Sequence, residues 1–212
     1  MLRFGVCYNK TMSKKNKSNT AIIFGCSPFI NKISENKMNY IIYNYYHIGL
    51  NHFVYKYPNV KNILFSDYNT YDAIKNNINN QNIILSKTAY DFNFIKDNKI
   101  KPKNIEYIFD ARSEIFHDLS KNMLCMFKTS ALPAINYAYL KGYKNIILCG
   151  VDLTENWNHF YSNNTTSNDK IRSPKRINRM REILYKFKDY VNLYQLNPES
   201  DLDIKKINIG EL

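Results

Sequence analysis

The chain has 212 residues, which is enough to bury a substantial core, and a single domain is the default at this length. Aromatic residues are 15% of the sequence, a content that argues against intrinsic disorder. The formal net charge of +12 would suit a nucleic acid, an anionic membrane surface or an anionic small substrate, but neither helix-turn-helix nor zinc-finger spacing accompanies it.

Residues 1–19 are basic and contain no continuous apolar core, so they predict a loose leader rather than a cleaved signal. No apolar run approaches the roughly 20 residues that a membrane-spanning helix requires. No Cys-x-x-Cys pair is present, which favours reduced, buried thiols in a cytoplasmic protein. The cysteines are Cys7, Cys26, Cys125 and Cys149.

Residues 20–153 alternate apolar runs with amphipathic segments, which predicts a core of strands and helices. Strands are predicted for "AIIFG", "NYIIYNYY", "VKNILFSD", "QNIILSK" and "IEYIFDA". Helices are predicted for "SPFINKISEN", which begins at Pro28, and for "YNTYDAIKNNIN". The region 91–126 is the hardest to assign to either class.

The segment "SALPAINYAYLKGYKNIILCGVDL" carries the clearest pattern. Small and apolar residues recur at helical spacing, and Gly142 follows them where a left-handed helix cap belongs. The apolar run "NIILCG" then predicts a strand of a parallel sheet that is covered on both faces. A helix that leads through a short turn into such a strand is the α/β repeat.

Residues 154–172 are polar and have no period, which predicts a lid or a disordered connector. Residues 173–212 are expected to complete the core with a helix, a strand and a tail. Ser173 would cap that helix and Pro174 would occupy its first position. Its predicted buried stripe consists of Ile177, Met180, Leu184, Phe187 and Val191.

The turn after the first strand is the first candidate site. Ligands of open parallel sheets lie beyond the carboxyl ends of the strands, where Gly25, Cys26 and Ser27 are expected. Free backbone N–H groups before a helix that starts at Pro28 would favour an anion there. A tight turn that requires small residues is the alternative interpretation.

Several of these segments, in this order, resemble the bacterial lipooligosaccharide sialyltransferases of glycosyltransferase family 42. The resemblance is carried by "IIFGCSP", "IIYNYY", "TSALPAINYAYLKGYKNIILCGVDL" and "NLYQLNPES". It implies an α/β fold with a Rossmann-like parallel sheet flanked by helices and a flexible lid. It also implies CMP-sialic acid as donor and an inverting transfer that requires neither a metal nor another cofactor.

The resemblance further implies the residues that contact the donor. They are Gly25, Ser27, Asn44, Thr129, Ser130, Gly150 and Asp152. Cys26 and Asp67 stand where the family has asparagine, and a thiol is a weaker donor than an amide. Taken alone, Thr129 and Ser130 would cap the helix that they precede, and Asp152 could equally be a capping residue.

The family binds the leaving phosphate with lid tyrosines and takes the acceptor proton with a lid histidine. In this sequence Tyr161 matches one tyrosine and Thr154 stands near the other. Arg172 or Ser173 occupies the place of the histidine, and arginine is not a base near neutral pH. His159 is therefore the first candidate for the base, and the weaker candidates are His47, His52 and His117.

These departures leave other functions open. The donor could carry another CMP-linked ulosonic acid, and the acceptor would be a glycan or a glycolipid at a membrane that the protein contacts peripherally. The missing histidine at Arg172 would also suit a nucleotide-binding protein without catalysis. The net charge of +12 leaves a nucleic-acid or membrane-surface protein as a third class. No specific nucleic acid is expected, and a homo-oligomer is compatible with the sequence.

Overall fold

The computed structural model describes residues 19–65, 68–86, 105–111, 123–125, 129–154, 159–161 and 173–212. The strands are β1 (Thr20–Phe24), β2 (Tyr46–Leu50), β3 (Asn62–Phe65), β4 (Asn82–Ser86), β5 (Ile105–Ala111), β6 (Met123–Cys125), β7 (Asn145–Cys149), β8 (Asn192–Gln195) and β9 (Lys205–Lys206). The α-helices are α1 (Glu35–Asn44), α2 (Phe53–Lys56), α3 (Tyr68–Ile74), α4 (Ala131–Leu140) and α5 (Pro174–Lys186). Short 3-10 turns cover Pro28–Lys32, Lys75–Asn77, Phe187–Asp189 and Ile209–Glu211.

The strands form one 9-stranded sheet in the order β6-β5-β4-β3-β2-β1-β7-β8-β9, and each of these pairings is parallel. The chain moves outward from β1 to β6 and then returns to place β7 on the other side of β1. The direction of winding therefore reverses between β1 and β7, which is where an open α/β sheet has its binding crevice.

Alternate residues of each strand pack on opposite faces of the sheet. Ala21 and Ile23 of β1 join one core cluster with the buried faces of α4 and α5. Ile22 and Phe24 join the other cluster, to which α1, α2 and α3 contribute. The protein is thus a three-layer α/β structure with a Rossmann-like parallel sheet, as predicted.

The second predicted strand was wrong, because "NYIIYN" belongs to helix α1. Ser34 caps this helix by accepting a hydrogen bond from the backbone N–H of Lys37. Met38, Ile41 and Ile42 then form its buried stripe, at the spacing of a helix. β-branched and aromatic residues favour strands, but here the helical period and the cap decide the conformation. Strand β2 begins only at Tyr46.

Two further predictions change in detail. Pro28 opens a 3-10 turn of five residues, and the α-helix begins later, at Glu35. Strand β6 was not predicted. The predicted cap of α5 is confirmed, since the Ser173 side chain accepts from the backbone N–H of Arg176. All members of the predicted stripe are buried, but α5 ends at Lys186, so Phe187 lies in the following 3-10 turn and Val191 lies beyond it.

The leader and most of the predicted lid lie outside the described residues. In the part of the chain that the structure describes, no helix is both long and apolar enough to cross a membrane.

Candidate functional site

A cavity of about 260 Å³ lies at the carboxyl edge of the sheet, where β1 and β7 end. The ends of β1 and β7 provide Gly25, Cys26, Ser27, Pro28, Gly150, Val151, Asp152, Leu153 and Thr154. The end of β2 and helix α3 provide Leu50, Asn51, His52 and Thr70. The start of α4 and the segment 159–161 provide Thr129, Ser130, Ala131, His159 and Tyr161. All the predicted site residues in the described part of the chain, except Asn44, therefore meet in one place.

The floor of the cavity is a close approach of two strand ends. The N–H of Gly25 donates to the carbonyl of Cys149 (2.8 Å), and the N–H of Ser27 donates to the carbonyl of Gly150 (3.0 Å). A Cβ atom on Gly25 would lie 2.2 Å from the Gly150 carbonyl oxygen. Only glycine fits at residue 25, and this contact brings the β1 turn and the β7 end together.

These bonds change the predicted role of the turn. The N–H groups of Gly25 and Ser27 are occupied within the protein and do not form an anion cradle. The Ser27 hydroxyl, by contrast, is shielded from solvent and has no hydrogen-bond partner among the described residues. Because Ser27 lines the cavity, a rotation of its side chain would offer this hydroxyl to a ligand.

Cys26 has a structural role at the same turn. Its thiol donates to the carbonyl of Leu50 (3.3 Å) and so links the ends of β1 and β2. Burial raises the pKa of Cys26 to about 12, although hydrogen bonds with the backbone of His52 and Phe53 oppose this shift. The thiol is therefore neutral and unsuited to nucleophilic chemistry at neutral pH.

Asp152 is held in place by two side-chain amides, one on the last residue of strand β8 and one just after it. Its Oδ1 accepts from Asn197 Nδ2 (3.1 Å) and from Gln195 Nε2 (3.4 Å). Gln195 is fully buried and also donates to the carbonyl of Val151 (2.9 Å) and to the Ser200 hydroxyl (3.1 Å). Both bonds hold the carboxylate through Oδ1, and neither of them uses Oδ2, which could accept a hydrogen bond from a ligand.

The turn before α4 meets the end of β2. The Thr129 hydroxyl accepts from the N–H of Ala131 (3.3 Å), the first residue of α4, whereas the N-cap residue Ser130 makes no side-chain cap bond. The Ser130 hydroxyl instead donates to Asn51 Oδ1 (3.1 Å), across the cavity wall. The two hydroxyls therefore have different structural partners, although both residues line the cavity.

Asn51 is a cavity residue that was not predicted from the sequence, and His52 was only a weaker candidate for the base. Asn44 was predicted to end the second strand, but it ends helix α1, where its side chain donates to the carbonyl of Tyr40 (2.8 Å). Asn51 holds the place that was expected for Asn44. Its φ of 50° and that of 48° at Leu153 are left-handed, a conformation that costs a non-glycine residue roughly 1 kcal/mol or more. The signal that could have identified Asn51 is the end of the strand "YHIGL".

The segment 159–161 is attached to the core on two sides. The N–H of Phe160 donates to the carbonyl of Cys26 (2.8 Å), and Asn31 Nδ2 donates to the carbonyl of Phe160 (3.2 Å). The Tyr161 ring lies between two imidazoles, stacked on His159 at 4.9 Å and tilted against His52 at 4.6 Å. Both histidines thereby face the same cavity.

The remaining histidines and predicted site residues lie either in the buried sheet or outside the described residues. His47 is buried, its Nδ1 bonds to the carbonyl of Tyr45 (2.9 Å), and its Nε2 accepts from the N–H of Lys61 (2.9 Å). Burial lowers the pKa of His47, and its position in β2 excludes it as the base. Asp67, His117 and Arg172 lie outside the described residues. Within those residues, no cluster of three or more His, Cys, Asp or Glu side chains could hold a metal ion.

Neither a protein-family model nor a curated protein sequence matches the chain. Among solved structures, it is similar to the sialyltransferase CstII from Campylobacter jejuni in complex with the substrate analogue CMP-3FNeuAc. This match has a TM-score of 0.57 and 21% identity, and it covers 91% of this chain and 88% of that chain. CST-II in complex with a trisaccharide acceptor and CMP matches with a TM-score of 0.52 and 18% identity, over 90% of this chain and 87% of that chain.

A second glycosyltransferase shares the fold. The MAf glycosyltransferase from Magnetospirillum magneticum AMB-1 matches with a TM-score of 0.64 and 13% identity, over 92% of this chain. The match spans 34% of that larger protein. The resemblance to sialyltransferases that the motifs predicted is confirmed at the level of the fold, which this chain shares with glycosyltransferases over about nine-tenths of its length.

Proposed function

We propose that the protein is a glycosyltransferase that moves sialic acid, or a related ulosonic acid, from a CMP-activated donor to a hydroxyl of a glycan. One observation carries this proposal. Apart from Asn44, the described residues that the motifs assigned to donor binding line a single cavity at the reversal point of the sheet. CstII, which has the same fold, was solved with a CMP-sugar analogue.

Donor binding would use the polar groups of the cavity wall. Asp152 would accept hydrogen bonds from the ribose hydroxyls, because its carboxylate is already oriented by Asn197. Ser27, Thr129 and Ser130 would supply hydroxyls to the phosphate and the sugar. Thr154 and Tyr161 would donate to the phosphate oxygens on which negative charge grows as the glycosidic bond breaks.

The acceptor hydroxyl must lose a proton as it attacks the anomeric carbon with inversion. His159 is the proposed base, since it lines the cavity and imidazole has an ordinary pKa near neutrality. Arg172 would then be a cation beside the lid and not the proton acceptor. The protein would act in the cytoplasm, in peripheral contact with the membrane that holds a glycolipid acceptor.

The test is incubation with CMP-sialic acid and a galactoside acceptor, with release of CMP and formation of product measured together. His159→Ala should reduce kcat by about 100-fold or more, because general base catalysis is lost. Tyr161→Phe should also slow transfer, because it removes the hydroxyl that stabilises the leaving phosphate. Tyr190→Phe is the matched control, since Tyr190 is 47% exposed and does not line the cavity.

Three outcomes would each change the proposal. Equal rates for the wild type and His159→Ala would remove His159 from the mechanism. Stabilisation by CMP, without transfer or hydrolysis of any CMP-sugar, would identify a nucleotide-binding protein. A salt-sensitive gel shift with DNA or RNA that CMP does not affect would favour the nucleic-acid class.

A further inference from the structure

The charge of the cavity differs from the charge of the chain. The net charge is +12, yet the described residues that line the cavity include no lysine and no arginine. Asp152 is the one carboxylate among them, and His52 and His159 are the side chains that can become cationic. A donor that joins CMP to an acidic sugar carries one negative charge on the phosphodiester and another on the carboxylate. A compensating positive charge would favour its binding beside Asp152, and among the described lining residues the imidazoles can provide that charge.

His52 is the imidazole that the core holds in place. It lies two residues after β2, and its carbonyl accepts from the N–H of Tyr55 (3.0 Å). The preceding Asn51 is fixed by a bond from its N–H to the carbonyl of Leu64 (3.1 Å). The His52 ring rests against Tyr55 (5.2 Å) and Tyr161 (4.6 Å). The core thus places this ring on the cavity wall.

We propose that His52, in its imidazolium form, binds the anionic part of the donor and makes donor affinity fall as the pH rises. The inference rests on the proposed function and deepens it, since it assigns the two cavity imidazoles opposite protonation states. His159 must be neutral to accept a proton, whereas His52 must be protonated to attract an anion. The positive charge of the His52 imidazolium would favour a donor with an acidic sugar over a donor with a neutral sugar.

The groups around His52 are compatible with this role. Burial raises the pKa of Tyr55 and of the Cys26 thiol, so both stay neutral in the range where imidazole titrates. Lys56, on the same helix, donates to Asn31 Oδ1 (2.5 Å) and lies over the Tyr57 ring. Among the residues that the structure describes, the other ionisable groups that face the cavity are Asp152, His159 and Tyr161.

The experiment is titration calorimetry with CMP-3FNeuAc at about pH 5.5 and about pH 8.5, where the phosphodiester and the carboxylate of this probe stay ionised. The wild type should bind about tenfold more tightly at the lower pH, as expected for one charge-assisted contact. His52→Gln should bind with the weaker affinity at both pH values. His159→Gln should keep most of the pH dependence. Cytidine, which has no anionic group, should show no such dependence with any of the proteins.

The outcomes separate the two proposals. If the wild type binds neither CMP-3FNeuAc nor CMP, the proposed function and this inference both fail. If it binds CMP-3FNeuAc equally at both pH values, or if His52→Gln keeps the wild-type pH dependence, only the role of His52 is overturned. Thermal unfolding confirms that each variant is folded.

Turnover gives a second readout that a purely structural histidine would not change. The pH profile of kcat/KM should be bell-shaped, because it reports essential groups of the free enzyme. His52→Gln should remove the alkaline limb of this profile, and His159→Gln should remove the acid limb. A profile of His52→Gln with the alkaline limb intact would contradict the proposal.

Discussion

The two edges of the sheet use polar side chains in opposite ways. At the amino edge, where the strands begin, β3, β4, β7 and β8 each start with asparagine. These residues bond to one another across neighbouring strands. Asn82 Nδ2 donates to Asn62 Oδ1 (3.0 Å), and Asn192 Nδ2 donates to Asn145 Oδ1 (3.0 Å). The buried His47 belongs to the same edge, since Asn62 Nδ2 donates to its carbonyl (2.8 Å).

At the carboxyl edge, the polar residues line a cavity. Ser27 has a shielded hydroxyl without a partner among the described residues, and Asp152 has one oxygen outside its described bonds. The backbone is also less relaxed there, with left-handed φ values at Asn51 and Leu153. Hydrogen bonding and backbone strain, rather than residue type, therefore distinguish the scaffold at the amino edge from the candidate site at the carboxyl edge.

The largest effect is expected for Gly25→Ala. The new Cβ atom would lie 2.2 Å from the Gly150 carbonyl oxygen and 2.7 Å from Val151 Cγ2, so the ends of β1 and β7 would have to separate. We expect a loss of about 3 kcal/mol or more in the free energy of unfolding. Denaturant unfolding measures the change, and calorimetry should show that CMP binding is lost.

The control for this substitution is Gly142→Ala, at the carboxyl end of α4. Gly142 has a φ of 94°, but a Cβ atom there would meet no atom within 4 Å. Only the backbone strain remains, and it should cost about 1 kcal/mol without weakening CMP binding. Equal costs at Gly25 and Gly142 would contradict the close approach of the two strand ends.

A smaller effect on stability is expected at the amino edge when the pH is lowered. Burial lowers the pKa of His47 below its ordinary value of 6.5, so the unfolded chain takes up a proton that the folded chain resists. This contribution to stability is present above pH 6.5 and is lost as the pH falls towards the folded pKa. Between about pH 7 and pH 5 the free energy of unfolding should fall by up to about 2 kcal/mol.

Denaturant unfolding of His47→Gln and His52→Gln across this pH range sharpens the contrast between the edges. His47→Gln should flatten the pH dependence of stability and leave the pH dependence of donor binding unchanged. His52→Gln should leave the pH dependence of stability unchanged and flatten the pH dependence of donor binding. If both substitutions alter both properties, the two edges are not functionally separate.

The smallest effect is expected for Asn192→Ala. This change removes the bond to Asn145, which lies at the exposed amino edge, and water can replace the lost partner. The free energy of unfolding should fall by about 0.5 kcal/mol. Donor affinity should not change, and a measurable loss of affinity would show that the amino edge contributes to the site.

The α/β class and most of the strands could be predicted from the sequence, because continuous apolar runs and helix caps are local signals. The helix over Ala131–Leu140, its left-handed cap at Gly142 and the stripe of α5 were all readable from spacing. The prediction of a strand over "NYIIYNYY" was wrong because this segment carries two conflicting signals. Its aromatic residues favour a strand, but Met38 and Ile41 are spaced to lie on one face of a helix. Local propensity does not resolve such a conflict.

The polar residues that share the site could be identified only in the folded protein. Cys26 became part of a hydrogen-bonded scaffold, and Asn51 took the place expected for Asn44. His47 and His52 lie on one short stretch of chain, yet the first is sealed into the amino edge and the second faces the cavity. This is because parallel strands bring residues that are distant in sequence to a common edge of the sheet. Burial and hydrogen-bond partners at that edge then determine the pKa and the reactivity of each side chain.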